Sequence, residues 1–122
     1  MKSKILLVDH GSRNPRAHKE FSDLIEKLKP EFSGVPVSLC HMEIADPLLE
    51  EQLINDWEAG FQEFWVFPLF FFNGKHLVKD IPAILARFEL LHPEAKLHLQ
   101  DAIGRLDSFA EFLNQEIESK IK

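Results

Sequence analysis

The strongest constraint on this chain's fold is an alternation, repeated four times, of a short apolar run with a longer stretch of helical periodicity. Residues 4–9, Lys-Ile-Leu-Leu-Val-Asp, form a nearly continuous apolar run, the pattern of a strand buried on both faces. Residues 15–29 then place Ala17, Phe21, Leu24, Ile25 and Leu28 at spacings of three and four. That predicts a helix with Asn14 as N-cap and Pro15 at its first position, stopped by Lys29-Pro30 and Ser33-Gly34. Val35, Val37 and Leu39 alternate over residues 35–42, a second strand. Asp46-Pro47 opens a second helix by the same cap-then-proline logic, with Leu49, Leu53, Ile54 and Trp57 on its apolar face and Gly60 closing it. Residues 64–72 are the most apolar stretch and read as a central strand, with Pro68 the one residue against it. Asn73-Gly74 breaks this run. Ile81, Ile84, Leu85 and Phe88 mark a third helix, residues 96–100 a fourth strand, and Leu106, Phe109, Ala110, Leu113 and Ile117 a final helix.

The order βαβαβαβα predicts an α/β fold, a parallel sheet with helices on both faces. The chain of 122 residues is expected to form a single domain, 1–122, around one core. Hydrophobic residues at 45% and charged residues at 28% suit a soluble globular protein. No apolar run approaches the ~20 residues that span a bilayer, so no membrane association is expected. Met1 to Ile5 run straight into a strand without the apolar stretch of a signal peptide. Cys40, the single cysteine, excludes an internal disulfide and a Cys-rich metal site. A cytoplasmic protein is the resulting expectation. A net charge of −6 argues against nucleic acid as a partner. An anionic small molecule would need a local cluster of Arg and Lys.

In parallel sheets ligands sit beyond the carboxyl ends of the strands, near a switch in strand order. The polar motifs fall at such ends: His10-Gly11-Ser12-Arg13 after the first strand, His41 and Glu43 after the second, Asn73-Gly74-Lys75-His76 after the third, Asp101 after the fourth. Neutral imidazole is a good ligand for first-row divalent metals. His10 and His76 could thus form a metal pair, or could simply hydrogen-bond across their loops. Glu43, between apolar neighbours, could serve as a base or as a salt-bridge partner. His41, two residues earlier, would face the same side of a strand as Glu43. Ser12, Arg13, Arg16 and Lys75 could bind substrate carboxylates or be solvated. Phe67 and Leu69 to Phe72 form an apolar wall that is core or the flat side of a ligand site. His18, His92 and His98 read as solvated. Neither a Walker loop nor a dinucleotide glycine pattern is present, so nucleotide binding is not supported.

Four segments together resemble the small, half-length form of the CbiX-type sirohydrochlorin chelatases. They are Leu6-Leu7-Val8-Asp9-His10-Gly11-Ser12-Arg13, Met42-Glu43-Ile44-Ala45-Asp46-Pro47, and Val66-Phe67-Pro68-Leu69-Phe70 with Gly74-Lys75-His76-Leu77-Val78-Lys79-Asp80-Ile81-Pro82. The fourth is Asp101-Ala102-Ile103-Gly104, a degraded form of the family's last motif. The resemblance accommodates Pro68 within the third strand. It implies a chelatase-like fold with a four-stranded parallel sheet and pairing into a homodimer. It implies insertion of Co²⁺ first, or of Fe²⁺ or Ni²⁺, into sirohydrochlorin in tetrapyrrole biosynthesis, with the metal as substrate and no permanent cofactor. His10 and His76 would then be metal-binding and catalytic, with Glu43 beside them; Ser12, Arg13, Lys75 and Phe71 would meet the substrate, and Arg16 and Lys79 would add positive charge. The alternative is a metal or tetrapyrrole carrier on the same fold without turnover.

Overall fold

Four parallel strands, β1 (Ser3–Asp9), β2 (Val37–His41), β3 (Glu63–Pro68) and β4 (Lys96–Leu99), form one sheet in the order β2-β1-β3-β4. The helices between and after them are α1 (Pro15–Leu28), α2 (Leu49–Glu58), α3 (Ile81–Leu91) and α4 (Asp107–Ile121). A π-helical turn, His76–Asp80, leads into α3, and a 3-10 turn, Ile103–Arg105, precedes α4. This computed structural model describes residues 1–28 and 34–121, and for His76 and Val78 the backbone alone. The expected stop at Lys29-Pro30 and Ser33 lies outside the described residues.

Alternating strand residues build the core. Leu6 and Val8 of β1, Cys40 of β2 and Phe64 and Val66 of β3 pack against Leu49 and Leu53 of α2 and Ile81, Leu85 and Phe88 of α3. β1 steps to β2 in one direction, while β2 to β3 and β3 to β4 step in the other. Right-handed crossovers therefore put α1 on one face and α2 and α3 on the opposite face. The α2/α3 face is closed. On the other face α1 buries none of its residues; α4 also buries none, and Phe67 is exposed. Among the described residues, no helix is long and apolar enough to cross a membrane.

Several boundaries differ from expectation. Asn14 does cap α1, its Oδ1 accepting the Arg16 N–H at 3.0 Å. Asp46-Pro47, however, does not start α2: the peptide bond is cis and the helix begins at Leu49. The reason is tertiary. His41 donates its N–H to the Pro47 carbonyl and bridges Leu48, so residues 42–47 are spent in a loop that returns to the end of β2. Ile54, expected on the apolar face of α2, is exposed. β2 starts at Val37 rather than Val35, and β4 ends at Leu99. β3 ends at Pro68, four residues before the apolar run does. A parallel strand needs a neighbour, and the last rung against β1 is the Leu69 N–H on the Val8 carbonyl, 2.7 Å. Beyond it Phe70 turns into the core, whereas Phe71 and Phe72 are 61% and 72% exposed.

Candidate functional site

β1 and β3 are adjacent, yet the chain leaves their carboxyl ends towards opposite edges of the sheet. This is a switch point, where a crevice opens because the two following connections diverge. His10 stands at one lip. It is exposed, with its ring edge-on to Phe70 at 4.5 Å between centroids. The loop after β3 supplies the other lip. Together His10, Phe70, Phe72, Gly74, Lys75 and Leu77 line a cleft of about 80 Å³. A shallower hollow of about 330 Å³, lined by Asn73, Leu77, Leu99, Gln100 and Asp101, shares Leu77 with it. His76 follows Lys75 at the start of the π-helical turn; its side chain lies outside the described residues.

The loops after β1 and β2 are fastened by their backbones. The Met42 N–H reaches the Asp9 carbonyl at 2.9 Å and the Glu43 N–H reaches the His10 carbonyl at 3.0 Å. Gly11, with φ +102°, allows the close approach: a Cβ there would stand 1.8 Å from the Glu43 carbonyl oxygen. Glu43 is exposed, not enclosed by its apolar neighbours as expected. Its carbonyl accepts the Ala45 N–H at 2.9 Å across Ile44, whose φ is 74°. That is a γ-turn of the strained hand, carried here by a β-branched residue. Strain of this kind, of order 1–3 kcal/mol, concentrates where function fixes a group's position.

Ser12 is half-buried, its Oγ accepting the Asn14 N–H at 3.0 Å, and Arg13 and Lys75 are exposed. Arg16 and Lys79 are exposed as well. Phe71 packs at 5.7 Å against Phe109. Two residues of the segment 101–104 have structural roles. Gly104 lies so close to the Phe71 backbone that a Cβ would meet the Phe71 carbonyl oxygen at 2.1 Å. Asp101 caps the adjoining turn by accepting the Ala102 N–H at 2.9 Å.

The remaining histidines depart from expectation. β2 ends at His41, so His41 and Glu43 do not share a strand face: His41 is buried and Glu43 is not. His41 Nδ1–H donates to Asp9 Oδ1, and both side chains are buried. His18 donates to the Ser12 carbonyl and stacks on His41 at 6.0 Å. His92 packs at 4.7 Å on Trp57, and His98 at 3.9 Å on Trp65. None of the three is simply solvated. Asp9 was missed as a site residue because it reads as the end of an apolar run. The signal available was its register: Asp9 pairs with His41 once β1 and β2 are aligned. The thiol of Cys40 is pushed up by burial, reinforced by Asp56 and Asp9, so it is held as a neutral thiol and not as a thiolate ligand.

The CbiX family model matches residues 4–120. The chain is 33% identical over 82 residues to a sirohydrochlorin cobaltochelatase of Methanosarcina acetivorans, covering 67% of this chain and 63% of that protein. It is 34% identical over 83 residues to the chloroplastic sirohydrochlorin ferrochelatase of Arabidopsis thaliana, covering 67% of this chain and 36% of that one. The chain thus spans between about a third and two thirds of the length of these curated relatives. A crystal structure of a CbiX protein from Marinobacter aquaeolei VT8 superposes with a TM-score of 0.81 at 27% identity, covering 99% of this chain and 96% of that one. The sirohydrochlorin chelatase SirB of Bacillus subtilis subspecies spizizenii, solved in complex with cobalt, gives 0.81 at 25% identity, covering 98% of this chain and 51% of that one.

Proposed function

Because the chain belongs to the CbiX family, we propose that it inserts a divalent metal ion into sirohydrochlorin, working as a single domain over residues 1–122. The observation that carries this reading is the switch-point cleft, in which His10 meets Gly74-Lys75, the two residues before His76. Insertion exchanges two pyrrole N–H protons for one metal ion, which first sheds water. In our reading His10 and His76 hold the arriving ion, an open site suited to release rather than storage. Glu43, tied by its N–H to the His10 carbonyl, accepts a pyrrole proton, and an imidazole accepts the other. Phe71 and Phe72 offer apolar surface to the macrocycle, while Ser12, Arg13 and Lys75 meet its carboxylates. Arg16 and Lys79 extend the positive field against a net charge of −6. Relatives are named for cobalt and for iron; we put Co²⁺ first, with Fe²⁺ and Ni²⁺ as the other substrates.

Two copies are proposed to pair. Phe112, Leu113 and Ile117 of α4 are 51%, 41% and 51% exposed, an apolar stripe of the kind that marks an interface. The cobalt-bound relative carries nearly twice this chain's length in one polypeptide. Sedimentation equilibrium should give the dimer mass, and Ile117→Glu should shift it to the monomer. We also propose a cytoplasmic location.

Mixing the protein with sirohydrochlorin and Co²⁺, Fe²⁺ or Ni²⁺ and following the absorption spectrum tests the reaction. Insertion faster than without protein supports it. Binding of both partners without acceleration would replace it with the carrier reading.

A further inference from the structure

Two histidines outside the cleft hold the chain on either side of His10. Asp9, immediately before it, is 7% exposed and accepts the Nδ1–H of His41, itself 5% exposed. Ser12, two residues after it, has its carbonyl bound by His18 Nε2–H. The two imidazoles face one another at 6.0 Å with 20° between their planes. The connections thus run from Asp9 to His41, across to His18 and back to Ser12, enclosing His10-Gly11. The same segment is fastened to Glu43 through the His10 carbonyl.

We propose that His41 and His18 are positioning residues that aim His10, and through the shared backbone Glu43, into the switch-point cleft. The physical need is clear. His10 lies at a strand end with its ring edge-on to Phe70, and a metal-transfer site also needs the backbone that carries such a ring held in place. A buried carboxylate is costly unless hydrogen-bonded, so Asp9 keeps its orientation only while His41 serves it. His41 thereby fixes the backbone entering His10. His18 reaches from the first turn of α1 and fixes the backbone leaving it. Loss of a group that orients a ligand costs about 10–100-fold in metal affinity or activity. The proposal rests on the chelatase reading for its activity readout, although its geometry does not.

The test uses the chain of residues 1–122. His18 is exposed, so His18→Leu should fold with an unchanged melting temperature. It is expected to lower kcat for Co²⁺ insertion about tenfold or more with little change in KM for sirohydrochlorin. His18→Gln, whose amide can replace the Nε2 donor, should recover most of the loss. At the buried position, His41→Asn keeps a donor near the Nδ1 site and should remain close to wild type, whereas His41→Leu strands Asp9 and should lose activity. Full kcat in His18→Leu, or no recovery in His18→Gln, overturns the proposal. A second readout is independent of turnover: the His10 ring resonances in imidazole-selective NMR spectra. They should shift or broaden in His18→Leu and return in His18→Gln; identical spectra in all three proteins overturn the proposal. Wild-type protein that fails to accelerate insertion sinks the chelatase reading, and the ring resonances still decide the positioning role.

Discussion

The two ends of the sheet carry charge in opposite ways. At the amino end, ionic groups are matched and partly enclosed. Lys4 Nζ meets Asp56 Oδ1 at 3.2 Å with side chains 11% and 7% exposed, and Gln52 holds the second Asp56 oxygen at 3.0 Å. Ser3 and His98 both donate to Glu63, at 2.7 and 2.9 Å. Lys2 and Lys4 lie over the Phe61 ring at 4.2 and 4.7 Å. At the carboxyl end His10, Arg13, Glu43 and Lys75 face solvent, and the enclosed pair, Asp9 with His41, lies beneath them. Residues within the same strands therefore serve different ends. Those at the amino edge close the core, and those at the carboxyl edge leave polar groups exposed beside the cleft to which we assign the ligand. The difference is what a parallel sheet dictates, since the connections open a crevice only at its carboxyl edge.

The sharpest way to break this contrast is at the amino end. Asp56→Ala leaves Lys4 as an unpaired, buried cation, and loss of one partner of such a pair costs about 3–5 kcal/mol. Urea denaturation should show that loss, while kcat for metal insertion by the folded protein stays unchanged. A cost below about 1 kcal/mol, the level of an exposed pair, would erase the distinction. The converse substitution is His10→Ala. Its side chain is exposed, so the melting temperature should hold, while insertion should fall about a hundredfold or more, the low end for a lost acid–base group. Activity near wild type would remove His10 from the reaction and leave the fold untouched.

A smaller effect is expected where the carboxyl edge has structural work to do. Gly104→Ala pushes a methyl group against the Phe71 carbonyl, 2.1 Å from its ideal position. Overpacking of this kind costs about 1–3 kcal/mol. Displacement of Phe71 should also weaken sirohydrochlorin binding, read as a rise in KM with kcat largely retained. A stability loss without a change in KM would detach Phe71 from the substrate.

Element order and the position of the cleft were legible in the sequence, because both follow from periodicity and from the rules for parallel sheets. Alternation of strand and helix gave the sheet; placement of polar motifs after strands gave His10 and the Gly74-Lys75 segment. The rest depended on distant partners. Pro47 carries a local helix-start signal, yet α2 waits for Leu49 because His41 and Leu48 meet across the loop. Residues 70–72 are as apolar as the strand before them, but among the described residues no strand continues beside them past the Leu69–Val8 rung. His18 lies on a helical segment whose sequence says nothing of the Ser12 carbonyl six residues earlier. Asp9 and His41 are separated by 32 residues and become partners only through register.

The amino end also predicts a small acid-side signature. Hydrogen bonds from Ser3 and then His98 hold the Glu63 carboxyl below its usual value of 4.5, outweighing the opposing effect of desolvation. A carboxylate with a depressed folded-state pKa favours the native state fully above the unfolded value and loses that contribution as pH falls through the folded one. The stability difference between wild type and Glu63→Gln should therefore be constant at neutral pH. It should begin to change below about pH 4.5, as the unfolded carboxylate takes up its proton first. Urea midpoints collected from pH 7 down to pH 3 would show the effect. The site is solvent-screened, so this is the smallest of the expected changes. Metal insertion at neutral pH should be the same in both proteins, since Glu63 stands at the opposite edge of the sheet from His10. A Glu63→Gln protein that lost insertion activity while keeping its stability would mean that the two ends are coupled, and that the division between them is one of degree.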